Sequence, residues 1–399
     1  MIKKQKNLIK FLHIADLHLG KSLYKSQERS DDFFHALYSC LEKYAVGEGC
    51  SFVMIAGDFF DVRKISSRTM NQAIVCLELL RKAKIPAIIC AGNHDSAEFN
   101  VETSWLKSLS LWGYAIFLEA NFLDNGKVEY LPWSDETRKG GYYDFGDIRI
   151  VGNNWLGSVT QDSLVKINDS LRDLHSNDKF IIMMLHADID GQLSHPIKGV
   201  SVAKLTELKT YVDYLALGHI HKNFEIAEFA YNGGGLENAT IDEANNIKGA
   251  YLVEVDLKTK KHKATLVSGY RKRPVIQLKY EISENDSPEQ FREKLFEYLN
   301  KELVPYNPDN GGLSPVLELR LNGKLGFKST LLKLDKIRDE IKETFQPLLV
   351  MLKNQTLPLD FAVNSDNNIP RSERERKILV DLISKDKRFE SKSDKFTDL

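Results

Sequence analysis

Cysteine is scarce in this chain of 399 residues. The four present, Cys40, Cys50, Cys76 and Cys90, lie ten or more residues apart, and none forms a Cys-x-x-Cys pair. That spacing excludes a thiolate zinc site, a redox dithiol and a disulfide scaffold, and the four read as reduced, core-filling thiols. Long apolar runs are also missing. The longest, such as Phe180 to Leu185, fall far short of the roughly 18 residues that a membrane span requires. Lys3, Lys4 and Lys6 imitate the start of a secretory signal, but Lys10, His13 and Asp16 interrupt the stretch that follows. These absences read as a cytoplasmic protein without a membrane span. Nor does one sign of charge dominate: 55 basic side chains face 56 acidic ones, for a net charge of -1. A uniformly basic nucleic-acid coat is excluded, so any face that binds a polyanion must be focused.

What the chain does contain is ample core material, 42% hydrophobic residues with 28% charged, enough for about two or three domains. Short apolar strands alternate with helical patterns over the first two thirds. The strands are Phe11 to Ala15, Phe52 to Ala56, Ile85 to Ala91, Ile148 to Val151, Phe180 to Leu185, Tyr214 to Leu217 and Tyr251 to Val255. A helix opens at Ser66 or Ser67 with Met70, Ile74, Leu77 and Leu80 on one face. Strands that are apolar throughout belong to sheets covered on both sides, so an α/β layered domain is expected over residues 1–270.

The pattern changes at Arg273-Pro274. Ile276, Leu278, Tyr280 and Ile282 alternate with Gln277, Lys279 and Glu281, as in a strand with one wet face. Ser287, Pro288 and Gln290 then form a capping box with proline at the first helical position. A strand with Leu317, Leu319 and Leu321 inward, a helix through Leu331, Leu334, Ile337 and Ile341, and an apolar segment from Leu348 to Leu352 complete a small α+β domain over 271–355. Beyond it, over 356–399, a polar linker (Asn364 to Asn368) leads to a charge-dense helix from Ser372 to Lys385. Its narrow stripe is Ile378, Leu379, Leu382 and Ile383, which suits docking on its own domain or on another protein.

Five clusters carry the chemistry, each following a strand: Asp16-Leu17-His18, Gly57-Asp58-Phe59-Phe60-Asp61, Gly92-Asn93-His94-Asp95, His186, and Gly218-His219-Ile220-His221. Half of the ten histidines lie in them. Strand ends of a layered sheet converge on one edge. Asp16, His18, Asp58, Asn93, His186, His219 and His221 would then gather oxygen and imidazole donors, too many for one ion and suited to two cations acting on a phosphoester. Without thiolates, the donor chemistry suits manganese, iron or zinc and disfavours calcium. His13, inside the first strand, reads as a core histidine, and Trp133 as a packing tryptophan. Lys21, Lys25 and Arg29 follow the first cluster, and Arg63, Lys64 and Arg68 the second, so both loops offer cations to backbone phosphates.

The order of these clusters resembles the calcineurin-like metallophosphoesterases, and within them the SbcD-type nuclease subunits of double-strand-break repair. Asp16-Leu17-His18-Leu19-Gly20, Gly57 to Asp61, Gly92 to Asp95 and Ala216 to His221 carry the resemblance. The run from Leu236-Glu237 through Asp242-Glu243 to Lys248-Gly249 resembles the end of the family's catalytic domain. The resemblance implies two sheets flanked by helices, a binuclear manganese-type centre and cleavage of DNA phosphodiesters. By position, Asp58 would bridge two ions, with Asp16, His18 and His221 completing one site and Asn93, His186 and His219 the other. It places His94 outside the ligand set, facing the substrate and oriented through its other ring nitrogen by Asp61. Residues 271–355 would cap DNA over the site, and the tail would bind a SbcC-like coiled-coil ATPase. Homodimerisation and a nucleoid location are further implications of the family. One departure is Asn232-Gly233-Gly234-Gly235 where the family usually has a Pro-Gly-Ser step. Two other readings share the metal chemistry or dispense with it: a phosphodiesterase for a small nucleotide, and a non-catalytic adaptor for the ATPase.

Overall fold

The computed structural model describes residues 8–97, 101, 103–192, 199–303, 313–358, 373 and 376. The chain divides into two compact units at Val275–Ile276. In the first unit, one six-stranded sheet contains β1 (Leu8–Ile14), β2 (Phe52–Ala56), β3 (Ala87–Cys90), β4 (Ile116–Phe117), β13 (Ala250–Asp256) and β14 (Lys261–Val267), in the order β14-β13-β1-β2-β3-β4. A hairpin of β5 (Asn121–Phe122) and β6 (Val128–Glu129) stands apart. The second six-stranded sheet contains β7 (Tyr142–Phe145), β8 (Ile148–Asn153), β9 (Phe180–His186), β10 (Tyr214–Gly218), β11 (Phe224–Ile226) and β12 (Ala230–Asn232), in the order β11-β12-β10-β9-β8-β7.

These sheets pack face to face on Phe11, Phe52, Met54, Ile88, Ile150, Ile182, Met184 and Tyr214. Because the strands are apolar on both faces, each sheet also needs a cover outside. Helices α1 (Gln27–Cys40), α2 (Ser67–Lys82) and α3 (Trp105–Leu111) cover the first through Leu37, Leu77 and Leu109. Helices α4 (Thr160–Leu174) and α5 (Val202–Glu207) cover the second through Leu164, Ile167 and Leu205. The α/β class expected from the sequence is this helix-sheet-sheet-helix sandwich. Ser66 caps α2 by accepting from the Thr69 amide at 3.1 Å. All four cysteines are free and buried. No helix among the described residues is long and apolar enough to cross a membrane.

What positions the site is strand direction. β1, β2 and β3 run parallel to one another, as do β8, β9 and β10. Each set therefore delivers its carboxyl ends to one sheet edge.

The second unit holds β15 (Val275–Ile282), α6 (Pro288–Leu303), β16 (Val316–Gly323), α7 (Leu334–Phe345) and β17 (Leu349–Asn354), with the strands ordered β15-β16-β17. Its capping box is formed: the Gln290 amide donates to Ser287 Oγ at 3.3 Å, and the Ser287 amide to Gln290 Oε1 at 3.0 Å. Leu317, Leu319 and Leu321 are buried against Phe291, Leu295 and Ile337. Leu331 departs from expectation. It sits in a short 3-10 turn and is 45% exposed, because Lys333 takes a left-handed φ of 45° that starts α7 one residue later. The linker and tail helix expected over 364–385 lie outside the described residues except for Glu373 and Arg376, both helical, and Lys3, Lys4 and Lys6 lie outside them too.

Candidate metal centre

All seven donors expected from the sequence come from strand ends. Asp16 and His18 follow β1, Asp58 follows β2, Asn93 follows β3, His186 ends β9, and His219 and His221 follow β10. The first two loops are stitched together, with the Leu17 and His18 amides donating to the Asp58 carbonyl at 2.8 and 3.0 Å. Asp16, His18, Asp58 and His219 all have positive φ, at 55°, 45°, 51° and 93°. Strain of this kind at non-glycine residues persists only where the surroundings over-determine it.

The side chains form two groups that share Asp58. In one, His186 Nε2 lies 3.3 Å from Asp58 Oδ2, 3.2 Å from Asn93 Oδ1 and 3.2 Å from His219 Nδ1, with His219 Nδ1 3.0 Å from Asn93 Oδ1. In the other, His18 Nε2 lies 2.9 Å from His221 Nε2 and 3.8 Å from Asp58 Oδ2, and Asp16 Oδ1 is 4.0 Å from His221 Nε2.

The opposite nitrogen of each ring decides what these contacts mean. His186 Nδ1 donates to the Ala56 carbonyl at 2.9 Å, His219 Nε2 to Asp188 Oδ1 at 3.0 Å, and His221 Nδ1 to Glu243 Oε1 at 3.1 Å. His18 Nδ1 faces Asp61 Oδ1 at 3.2 Å. With their protons turned outward, the rings aim lone pairs at one another and at carboxylate and amide oxygens. Buried Asp16 Oδ2 has no hydrogen-bond partner at all. Such an arrangement is repulsive unless positive charge lies between the donors, which is the signature of a site built for cations with its outer partners in place. The same demand registers on His186: burial lowers its basicity, but the charge and hydrogen bond of Asp58 raise its pKa to about 9. The donor set fits two divalent cations.

The frame around these donors is equally specific. Gly92 admits no side chain, since a Cβ there would lie 2.1 Å from Asp58 Oδ1. Asp95 joins the second and third loops by accepting from the Phe59, Phe60 and Gly92 amides at 3.2, 3.0 and 2.9 Å. Burial and the neighbouring Asp58 push its pKa up to about 6. Glu243 also takes Lys248 Nζ at 2.6 Å; burial opposes its charge, yet His221 and Lys248 hold its pKa down to about 2. In the departure segment, Gly234 has φ 82° and a Cβ there would meet the Asn223 nitrogen at 2.7 Å. Glycine is required at that position whatever stands beside it.

His94 borders both groups. Its ring is edge-on to His18 at 4.9 Å, its amide donates to Asp58 Oδ1 at 2.9 Å, and its donor atoms join His18 and Asp58 in a third grouping within 4.8 Å. The expected partner is corrected in detail. His94 Nδ1 donates to the backbone carbonyl of Asp61 at 2.5 Å, while the Asp61 carboxylate pairs with His18 and with Lys21 Nζ at 2.8 Å.

A second correction concerns Arg29, expected to reach phosphate. It is 1% exposed and donates to Asp32 Oδ2 at 2.7 Å and to the Asn238 carbonyl at 2.9 Å, so its charge is spent inside the fold. Lys25, Arg63 and Lys64 are exposed, and exposed Arg68 is tied to Asp31 at 2.8 Å. His13 is the core histidine expected, with Nδ1 2.9 Å from Tyr214 Oη and Nε2 3.1 Å from the Leu217 carbonyl. Trp133 packs under Arg138 at 5.3 Å. His35, His175 and His262 stay apart from the cluster, and His195 lies outside the described residues. Sequence reasoning missed Asp188, Glu243 and Lys248 as site residues. Asp188 stands two positions past His186, and the other two lie in the run from Asp242 to Gly249.

Two sheets whose parallel ends deliver a shared carboxylate and two imidazole-rich donor groups define a metal-dependent phosphoesterase of the binuclear class. The chain belongs to the calcineurin-like phosphoesterase family, whose pattern matches residues 9–223. Among curated relatives, the DNA double-strand break repair protein Mre11 of Archaeoglobus fulgidus is 30% identical over 249 residues, 60% of this chain and 52% of that protein. The protein of that name from Sulfurisphaera tokodaii is 26% identical over 395 residues, 94% of this chain and 92% of its own. The SbcD component of the SbcCD nuclease of Staphylococcus epidermidis is 24% identical over 262 residues, 62% of this chain and 66% of its own. The match to the first of these spans about half of that relative's length.

Proposed function

We propose that this chain is the manganese-dependent nuclease subunit of a DNA double-strand-break processing complex, cleaving phosphodiester bonds at DNA ends beside a SbcC-like ATPase. The observation that carries the reading is the pair of inward-facing donor groups sharing Asp58, with His94 at their edge. The alignment with the Sulfurisphaera tokodaii Mre11 across both units supports it. In this reading Asp16, His18 and His221 hold one cation, Asn93, His186 and His219 the other, and Asp58 touches both. Bound there, two manganese ions supply charge to neutralise the phosphate oxygens and activate water for in-line attack.

His94 does the proton work. Its Nδ1 is committed to the Asp61 carbonyl, so Nε2 is the atom that gives a proton to the leaving oxygen. Asp61 orients His94 with its backbone and His18 with its carboxylate. Lys25, Arg63 and Lys64 are the cations left to steer the DNA backbone, and Lys21 and Arg68 divide their charge with Asp61 and Asp31. Residues 271–355 cap the DNA, residues 356–399 dock the ATPase, and the chain works as a nucleoid-associated homodimer in the cytoplasm.

The test is a manganese assay on end-labelled duplex and single-stranded DNA, with and without the ATPase, and on bis(p-nitrophenyl) phosphate. Manganese-stimulated cleavage of DNA is expected. Hydrolysis of the small ester with none of any DNA would assign the chain to small-nucleotide chemistry. No cleavage of any substrate in the assembled complex would make it an adaptor.

A further inference from the structure

The two donor groups differ in what stands behind their imidazoles. Behind His219 is Asp188, whose side chain is 27% exposed. Behind His221 is Glu243, only 12% exposed, with Oε1 on the ring and Oε2 shared by Lys248 Nζ at 2.6 Å and the Ala239 amide at 3.0 Å. Lys248 is itself buried, its side chain 2% exposed, and its remaining donors go to the His221 carbonyl at 2.8 Å and the Gly234 carbonyl at 3.0 Å. An ammonium has three protons to place, and all three are placed here. One buried ion pair thus grips His221 twice, by its ring through Glu243 and by its backbone through Lys248.

The inner donors are unequal as well. Apart from shared Asp58, the His221 group contains a carboxylate, Asp16, whereas the His219 group contains only an amide and two imidazoles. More anionic charge and a stiffer ring both favour a divalent cation at the His221 position.

We infer that the two cation positions are inequivalent: the Asp16-His18-His221 position fills first, and Glu243, held by Lys248, is the positioning residue that sets its affinity. This rests on the ligand assignment proposed above. The Gly233-Gly234-Gly235 departure belongs to the same device, since the Gly234 carbonyl is one of the three anchors of Lys248.

The experiment is manganese titration of the metal-free full chain by calorimetry, with electron paramagnetic resonance at each step, on wild type, Glu243→Gln and Asp188→Asn. Wild type should bind two ions in separate steps, an uncoupled spectrum giving way to a spin-coupled one. Glu243→Gln should weaken the tighter step by about 10–100-fold, the usual cost of losing an outer partner, and leave the weaker step in place. Asp188→Asn should do the reverse. Two ions bound by Glu243→Gln with wild-type affinities, or both steps weakened alike, would overturn the inference. So would loss of the tighter step in Asp188→Asn, which keeps the question decidable if Glu243→Gln does not fold. Wild type that binds fewer than two ions would overturn the ligand assignment itself and this inference with it.

Discussion

Asp31 and Asp32 are adjacent carboxylates that should differ sharply when each is cut back to alanine. Asp32 is 3% exposed and takes three charge-assisted bonds: Arg29 Nη1 at 2.7 Å, Arg273 Nε at 2.5 Å and Arg273 Nη2 at 2.9 Å. The guanidinium groups it neutralises are 1% and 8% exposed, and Arg29 Nε already lacks a partner. Asp32→Ala leaves two cations buried, and breaking a buried pair from one side costs about 3–5 kcal/mol. The Asp31 ion-pair partner is Arg68, whose side chain is 59% exposed. An exposed pair of this kind is worth about 0–1 kcal/mol. All four tryptophans, Trp105, Trp112, Trp133 and Trp155, lie in the first unit, so urea unfolding followed by tryptophan fluorescence reports on that unit alone. The expected gap between the two variants is at least about 2 kcal/mol. Losses that agree to within about 1 kcal/mol would refute the reasoning, because they would mean that burial does not set the worth of these charges.

Other expectations follow from the same structure. His94→Ala should keep both metal ions by calorimetry and lose about 100- to 10,000-fold in turnover; unchanged cleavage would remove its role as proton donor. Gly92→Ala puts a Cβ 2.1 Å from Asp58 Oδ1, so it should lower stability by about 1–3 kcal/mol and weaken manganese binding; a wild-type binding isotherm would refute the close-approach argument. His13 has its pKa lowered to about 4 by burial, with the Leu217 carbonyl opposing. Its unfolded value is near 6.5, so the unfolded state binds more protons between those values and stability falls as pH drops from about 6.5 toward 4. Between pH 7 and 5 that one group contributes about 2 kcal/mol of loss. His13→Phe should flatten the urea-stability profile by that amount, and an unchanged slope would show that His13 does not titrate as a buried neutral ring.

How far the sequence could be read depended on whether a residue's environment is local. Phe52 to Ala56 and Ser66 with the helix behind it were legible because apolar runs and caps act over a few neighbours. The five clusters were legible because each sits directly after its strand. Arg29 was misread because its partners are Asp32, on the same helix, and Glu237 with Asn238, more than two hundred positions away. Asp61 was read correctly as a partner of the centre and wrongly as to which atom does what, since backbone and side chain of one residue serve two rings. Asp188, Glu243 and Lys248 gave no recognisable pattern of their own, because an outer partner is defined by the ring it meets.

By itself, the sequence determined the kinds of donor, their order and the strands that carry them, because residue chemistry and periodicity are written position by position. It also determined that the charge balance of 55 against 56 leaves the field at the site to the metals. Tertiary structure alone decided which nitrogen of each imidazole faces inward, which cations are spent inside the fold and which buried ion pair stands behind His221. Those are properties of distances between residues far apart in the chain, and only two sheets packed face to face bring them within reach of one another.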